Sequence, residues 1–194
     1  MSLTIVFYPH PTLRYRSQPL RRVDTQLKNL AAEMLDRMYE ARGVGLAANQ
    51  VDLPLRMFVA NPAGVRGDGE ELVLINPVLQ RPKGSQSAEE GCLSLPGIYG
   101  TVVRPKEIQL SGYDLAGNPI ERAVDGFLAR ILLHENDHLD GVLFFDRLSD
   151  QSQATMQEAL EELTMEFHAK QQSGEIPPDD QLLRRLSEWE QRYA

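Results

Sequence analysis

The chain has 194 residues, 42% of them hydrophobic and 25% charged, the make-up of one globular domain or one domain with an appendage. Its formal charge of −8 is uneven: residues 150–194 hold 10 acidic and 4 basic side chains, while the preceding body is near neutral. No basic stripe suited to tracking phosphates is visible and no apolar run approaches the roughly 18–20 residues of a membrane helix, which argues against nucleic-acid and membrane partners. One cysteine, Cys92, cannot form an internal disulfide. Met1-Ser2-Leu3 carries no weight, and without a basic-then-apolar leader the expected location is cytoplasmic.

In chain order, Pro9, Pro11 and Pro19 imply an extended arm over residues 5–22. Asp24 is an expected N-cap, followed by Leu27, Leu30, Ala31, Met34, Leu35 and Met38 at helical spacing, with Gly43 expected to stop the helix after Arg42. Strands are expected at 55–60 and 72–75 around a Gly-rich loop, then at 101–103, 108–113 and 119–123, the last two joined through Leu115-Ala116-Gly117-Asn118. A helix is expected from Asp125 to about Leu139, with Phe127, Ile131, His134 and His138 on one face. Another follows Asp150, with Met156, Ala159, Leu160, Leu163 and Phe167 as its stripe. A linker at 173–180 precedes a short helix that places Leu182, Leu186, Trp189 and Tyr193 together. Helix, then strands, then helix implies an α+β fold.

The most informative stretch is His134-Glu135-Asn136-Asp137-His138. On a helix, residues four apart stack one turn apart, so both imidazoles reach one metal ion. Glu135 projects aside and is free to act on a metal-bound water without ligating. Two histidines four apart also arise by chance on a surface, but here they sit in an apolar helix. A catalytic site needs a third ligand. His168 and His10 are candidates; Cys92 in Glu90-Gly91-Cys92-Leu93-Ser94 is the better one, because Gly91 before it and Pro96-Gly97 after it favour a shaped loop. A lone cysteine is otherwise a small core residue. Gly43 to Gln50 forms a third block whose glycines and alanines permit close approach, and Gln50 offers an amide to an oxyanion or to a turn.

Gly43-Val44-Gly45-Leu46-Ala47-Ala48-Asn49-Gln50, Glu90-Gly91-Cys92-Leu93-Ser94 and His134-Glu135-Asn136-Asp137-His138, in this order, resemble the peptide deformylase family over residues 3–149. The resemblance implies antiparallel β-sheets packed around a central metal-binding helix, with an additional C-terminal helical region. It makes residues 1–149 the catalytic domain and 150–194 an acidic helical extension, packed on the domain or on a partner subunit. It implies one divalent ion on Cys92, His134 and His138, natively Fe2+, with Zn2+, Ni2+ or Co2+ able to substitute. Glu135 is then the proton carrier, with Gln50 and the Leu93 N–H as oxyanion donors. Val44, Gly45, Gly91, Phe127, Arg130 and Ile131 are the expected substrate contacts.

The implied reaction removes the N-formyl group from formylmethionyl nascent peptides and releases formate. The implied setting is transient ribosome proximity with no direct nucleic-acid binding. A homodimer through Leu182, Leu186, Trp189 and Tyr193 is the sharper reading of the extension. An Arg104–Asp137 ion pair is expected to support the metal helix. Two positions depart from the family pattern: Asn49, where Pro or Thr is frequent, is expected to be neutral, and Leu133, where Gln is frequent, to alter one local hydrogen bond. Two other classes compete: an endopeptidase of the His-Glu-x-x-His type, which needs a downstream third ligand, and a non-catalytic ribosome-associated scaffold.

Overall fold

The computed structural model of the chain describes residues 3–194, so Met1 and Ser2 lie outside the described residues. Helix α1 (Thr25–Glu40) begins where the Asp24 carboxylate accepts the Leu27 N–H at 2.9 Å, which satisfies a donor the helix start leaves unpaired. Leu27, Ala31, Met34 and Met38 form its buried stripe. Its end differs from the expectation. Arg42, not Gly43, takes the left-handed position at φ 56°, and the N–H groups of Arg42 and Gly43 close back onto Tyr39 and Met38.

Five strands form an antiparallel sheet in the order β1-β2-β3-β6-β7: β1 (Gly45–Ala47), β2 (Met57–Ala60), β3 (Leu72–Lys83), β6 (Glu107–Tyr113) and β7 (Pro119–Asp125). Alternation along the short strands sends Leu46, Met57, Val59 and Ile75 toward α1. It sends Ala47, Phe58, Ala60 and Leu74 into the cluster with helix α2 (Gly126–Leu139). Both faces of β2 are therefore covered, and all four of its residues are buried. A separate hairpin, β4 (Gln86–Cys92) and β5 (Leu95–Arg104), closes a third cluster with Leu13, Phe144, Phe145 and Leu148. Three helices complete the chain: α3 (Asp150–Ala154), α4 (Gln157–Ser173) and α5 (Asp179–Tyr193).

Several boundaries depart from the sequence reading for physical reasons. Strand β3 runs past Pro77 because a register shift between Ile75 and Val78 accommodates the missing donor. Strand β5 extends well beyond 101–103. Strand β4 has almost no apolar pattern: within Gln86–Cys92 only Glu90 is buried, and the strand exists by pairing with β5. The helix after Asp150 is broken in two, with Met156 at the break buried against the third cluster.

Helix α5 uses its apolar stripe within the chain. Leu182, Leu186 and Tyr193 are buried, and Trp189 packs on the cluster beneath α1. The Tyr193 hydroxyl donates to Asp24 at 2.9 Å, the Arg21 N–H donates to the Tyr193 carbonyl at 2.8 Å, and the Tyr15 hydroxyl donates to Glu190 at 2.7 Å. These contacts seat the stripe on its own chain, the plainer of the two readings of the extension.

Leu186→Ala is expected to lower the unfolding free energy by about 2–4 kcal/mol in a urea titration, as for other fully buried leucines. A loss below about 0.5 kcal/mol, in the range of surface changes, would show that α5 is not part of the cooperative unit.

Candidate metal centre and catalytic cavity

Helix α2 is buried on nearly every side from Ala129 onward, so its polar side chains must find partners inside the protein. His134 and His138 lie one turn apart with ring centroids 5.1 Å from each other. Cys92 stands at the end of β4, where a register shift after Gly91 re-aims the chain toward them. Its Sγ lies 3.3 Å from His138 Nε2, and donor atoms of Cys92, His134 and His138 all fall within 4.8 Å of one another.

A divalent cation fits this set. Sulfur and nitrogen bound to one tetrahedral ion sit about 3.5 Å apart, close to the separation seen between Cys92 and His138. Burial and the nearby His134 and Arg104 charges hold the His138 pKa well below its usual value, so its imidazole is neutral and able to ligate. At His134 burial opposes a proton, yet the Cys92 and Glu90 contacts outweigh it and push the group up to about 10. Positive charge is thus favoured at this point.

Glu90 organises the surroundings. Its carboxylate accepts from Arg104 Nε and Nη2 at 2.6 and 2.7 Å, from Arg130 Nη1 at 2.5 Å, and faces His134 Nδ1 at 3.0 Å. Pairing at Nδ1 leaves Nε2 as the nitrogen of His134 free to ligate. Burial alone would raise the Glu90 pKa; the Arg104 and His134 contacts instead hold it far below the usual carboxylate range. Arg104 also donates to Asp137 at 2.7 Å, so the expected pair is present, and Arg147 grips the same Asp137 carboxylate. Phe144 stacks on the His134 ring.

Glu135 points into a cavity of about 570 Å³ that also exposes Cys92, His134 and Gln50. Burial raises its pKa to about 7, and its Oε2 is buried with no partner in the protein. Gly45 makes room for it: a Cβ there would overlap the Glu135 carboxylate and lie 2.9 Å from its Cγ. At Gly43 a Cβ would lie 2.7 Å from the Leu93 side chain, so this glycine serves close packing and not the turn. The Gln50 carboxamide is oriented at both ends. Its Oε1 accepts from the Ala47 N–H at 2.8 Å, and its Nε2 donates toward Cys92 Sγ and Ser94 Oγ, each at 3.3 Å.

All six expected substrate contacts line this cavity: Val44, Gly45, Gly91, Phe127, Arg130 and Ile131. Leu93 lines it as well. Only the stem of Arg130 is available, because its guanidinium is spent on Glu90, the Val102 carbonyl and the Gln86 carbonyl. Phe127 is 56% exposed at the mouth. The other two candidate ligands lie elsewhere. His10 packs edge-on against Phe167 near Asp52, and His168 stands on α4 beside Gln171.

Sequence reasoning missed the role of Glu90, which lies in a stretch with no apolar alternation to mark it as buried. Asn49, read as a neutral departure, ties its turn to the N-terminal arm. That residue is fully buried, accepts from Ser17 Oγ at 2.9 Å, and donates to the Thr12 and Tyr15 carbonyls at 3.1 and 2.8 Å. Leu133, expected to alter a hydrogen bond, packs against the apolar cluster of the sheet.

The family model described as Polypeptide deformylase matches residues 2–154. A peptide deformylase from Rhodopirellula baltica is 53% identical over 194 residues, covering 100% of this chain and 96% of that protein. A plant peptide deformylase crystal structure superposes with a TM-score of 0.83 at 42% identity, over 89% of this chain and 93% of that one. A peptide deformylase structure from Legionella pneumophila gives a TM-score of 0.78 at 37% identity, over 88% and 99%.

Gly45→Ala is expected to leave metal stoichiometry intact and to lower turnover of a formylmethionyl peptide by roughly 100-fold, through displacement of Glu135. Turnover matching the wild type would mean that the close approach is not needed.

Proposed function

This chain belongs to the peptide deformylase family, and from that premise we propose how its residues divide the removal of the formyl group from newly made formylmethionyl polypeptides. The observation that carries the assignment of roles is the convergence of Cys92, His134 and His138 beside the unpartnered Glu135 Oε2 in one cavity. Cys92, His134 and His138 would hold a divalent cation, which when bound would supply Lewis acidity to a water and to the formyl carbonyl. Glu135 takes a proton from the attacking water at its free oxygen, a task suited to a carboxylate raised to about 7. As the carbon–nitrogen bond breaks, Glu135 returns that proton to the leaving amine, and the products are formate and a free methionyl amine. The Gln50 Nε2–H and the Leu93 N–H donate to the oxygen that gains negative charge.

The methionine side chain is assigned to the apolar part of the cavity, against Val44, Ile131, Phe127 and the stem of Arg130. Strands β1 and β4 are both sheet edges that border the cavity at Gly45 and Gly91, which supports strand-like pairing of the peptide backbone. Such pairing reads main-chain groups and so tolerates varied residues after methionine.

Ferrous iron is the ion proposed; the donor set would also accept Zn2+, Ni2+ or Co2+. Residues 1–149 are taken as the catalytic domain and 150–194 as an extension that serves its own chain, since three of the four side chains considered for a homodimer are buried within it. The site of action is placed in the cytoplasm near the ribosome, without direct nucleic-acid contact. Among the described residues no helix is long and apolar enough to cross a membrane.

The test is formate release from formyl-Met-Ala-Ser by protein prepared anaerobically with ferrous iron. Glu135→Gln is expected to lower the rate by roughly 10²–10⁴-fold with the metal retained. A variant as fast as the wild type would remove Glu135 from the role of proton carrier.

A further inference from the structure

The turn that presents Gln50 is gripped from outside the cavity by the C-terminal helix, and we propose that Arg185 of α5 is a positioning residue for deformylation, acting through Asp52 on the Gln50 carboxamide. The inference rests on the reading of Gln50 as an oxyanion donor. Arg185 lies beyond residues 2–154, the segment that matches the family model.

The path is short. Gln50 sits in a single helical turn, Ala48–Val51, and Asp52 closes that turn in the left-handed region at φ 61°. Aspartate tolerates this conformation better than most residues, and here its side chain is also anchored. Both oxygens of Asp52 are engaged: Oδ2 pairs with the Arg185 guanidinium, and Oδ1 accepts from Thr12 Oγ1 at 2.6 Å. His10 Nε2 stands 3.8 Å from the same Oδ1. Asp52 does not line the cavity, so its carboxylate has no contact with the reacting groups.

The same turn is tied at its other points to the N-terminal arm. The Val6 N–H donates to the Gln50 carbonyl at 2.8 Å, and Asn49 holds the arm at Thr12, Tyr15 and Ser17. The Tyr8 N–H reaches the Ser94 carbonyl at 3.0 Å, so one stretch of arm bridges the Gln50 turn and the loop after Cys92. Helix α5 in turn clamps the arm through Tyr15–Glu190 and Arg21–Tyr193. Arg185 is a charged contact by which α5 reaches the end of the turn. Loss of its charge frees one oxygen of Asp52, relaxes the closing residue and lets the carboxamide two positions upstream drift from its aim at Cys92 and Ser94.

Arg185→Gln, Arg185→Lys, Gln50→Ala and the double variant Arg185→Gln/Gln50→Ala, each as the full iron-loaded chain, test this in the formate-release assay. Arg185→Gln is expected to lower kcat roughly five- to twenty-fold with KM and metal stoichiometry nearly unchanged, and Arg185→Lys to recover most of the loss. In the Gln50→Ala background Arg185→Gln is expected to cost nothing more, which a merely structural role would not produce. The same fold-loss in both backgrounds, or unchanged kcat in Arg185→Gln, would overturn the proposal while leaving Gln50 in its role. Full kcat in Gln50→Ala alone would instead remove the reading of Gln50 and the proposal with it.

Discussion

The metal centre is built around one buried carboxylate. Glu90 receives two guanidiniums and an imidazole at 2.5–3.0 Å, and each of these partners comes from a different element or turn. Arg104 ends β5, and Arg130 and His134 lie one turn apart on α2. Removing such charges from water costs several kcal/mol per ion, and the cost is offset only when every donor finds its acceptor at once. The arrangement therefore contributes less to stability than to specificity of geometry. It allows one placement of hairpin β4–β5 against α2, and in that placement Cys92 arrives beside His134 and His138.

The two sides of the cavity are held by different forces. On the metal side, buried ion pairs and the stacked Phe144 fix His134, while Arg147 and Arg104 share Asp137. Opposite it, β1 depends on close backbone approach, and the turn after it is tied through Asn49 and Asp52 to the N-terminal arm and α5. Gly45 lets the sheet edge meet Glu135, and the N-terminal arm stitches Gln50 to Ser94 through main-chain hydrogen bonds. Charge placement thus secures the groups that bind the cation. Steric absence, backbone pairing and the side-chain ties of the Gln50 turn secure the groups that handle the proton and the oxyanion.

Much of this was readable from residue order. Helical spacing inside an apolar helix pointed to the two histidines with Glu135 beside them, and the α1 start follows from Asp24. Cys92 was favoured by the glycines and proline around it. What stayed hidden depends on pairing across long stretches of chain. Strand β4 has no apolar alternation and becomes a strand only through β5. Glu90 looks like any surface acid until Arg104, 14 residues on, and Arg130, 40 residues on, reach it. The stripe on α5 was correctly apolar, yet spacing cannot say whether such a stripe meets its own chain or another. Asp24 and Arg21, at the far end of the sequence, settle that question here.

The most direct measurement of the account is the affinity for ferrous iron or cobalt of Glu90→Gln against the wild type, by competition with a chelator under anaerobic conditions. If Glu90 sets the ligand geometry through His134, affinity falls roughly 10- to 100-fold while the folded variant retains Cys92, His134 and His138. A folded Glu90→Gln protein that binds the ion as tightly as the wild type would contradict the claim that this carboxylate organises the centre.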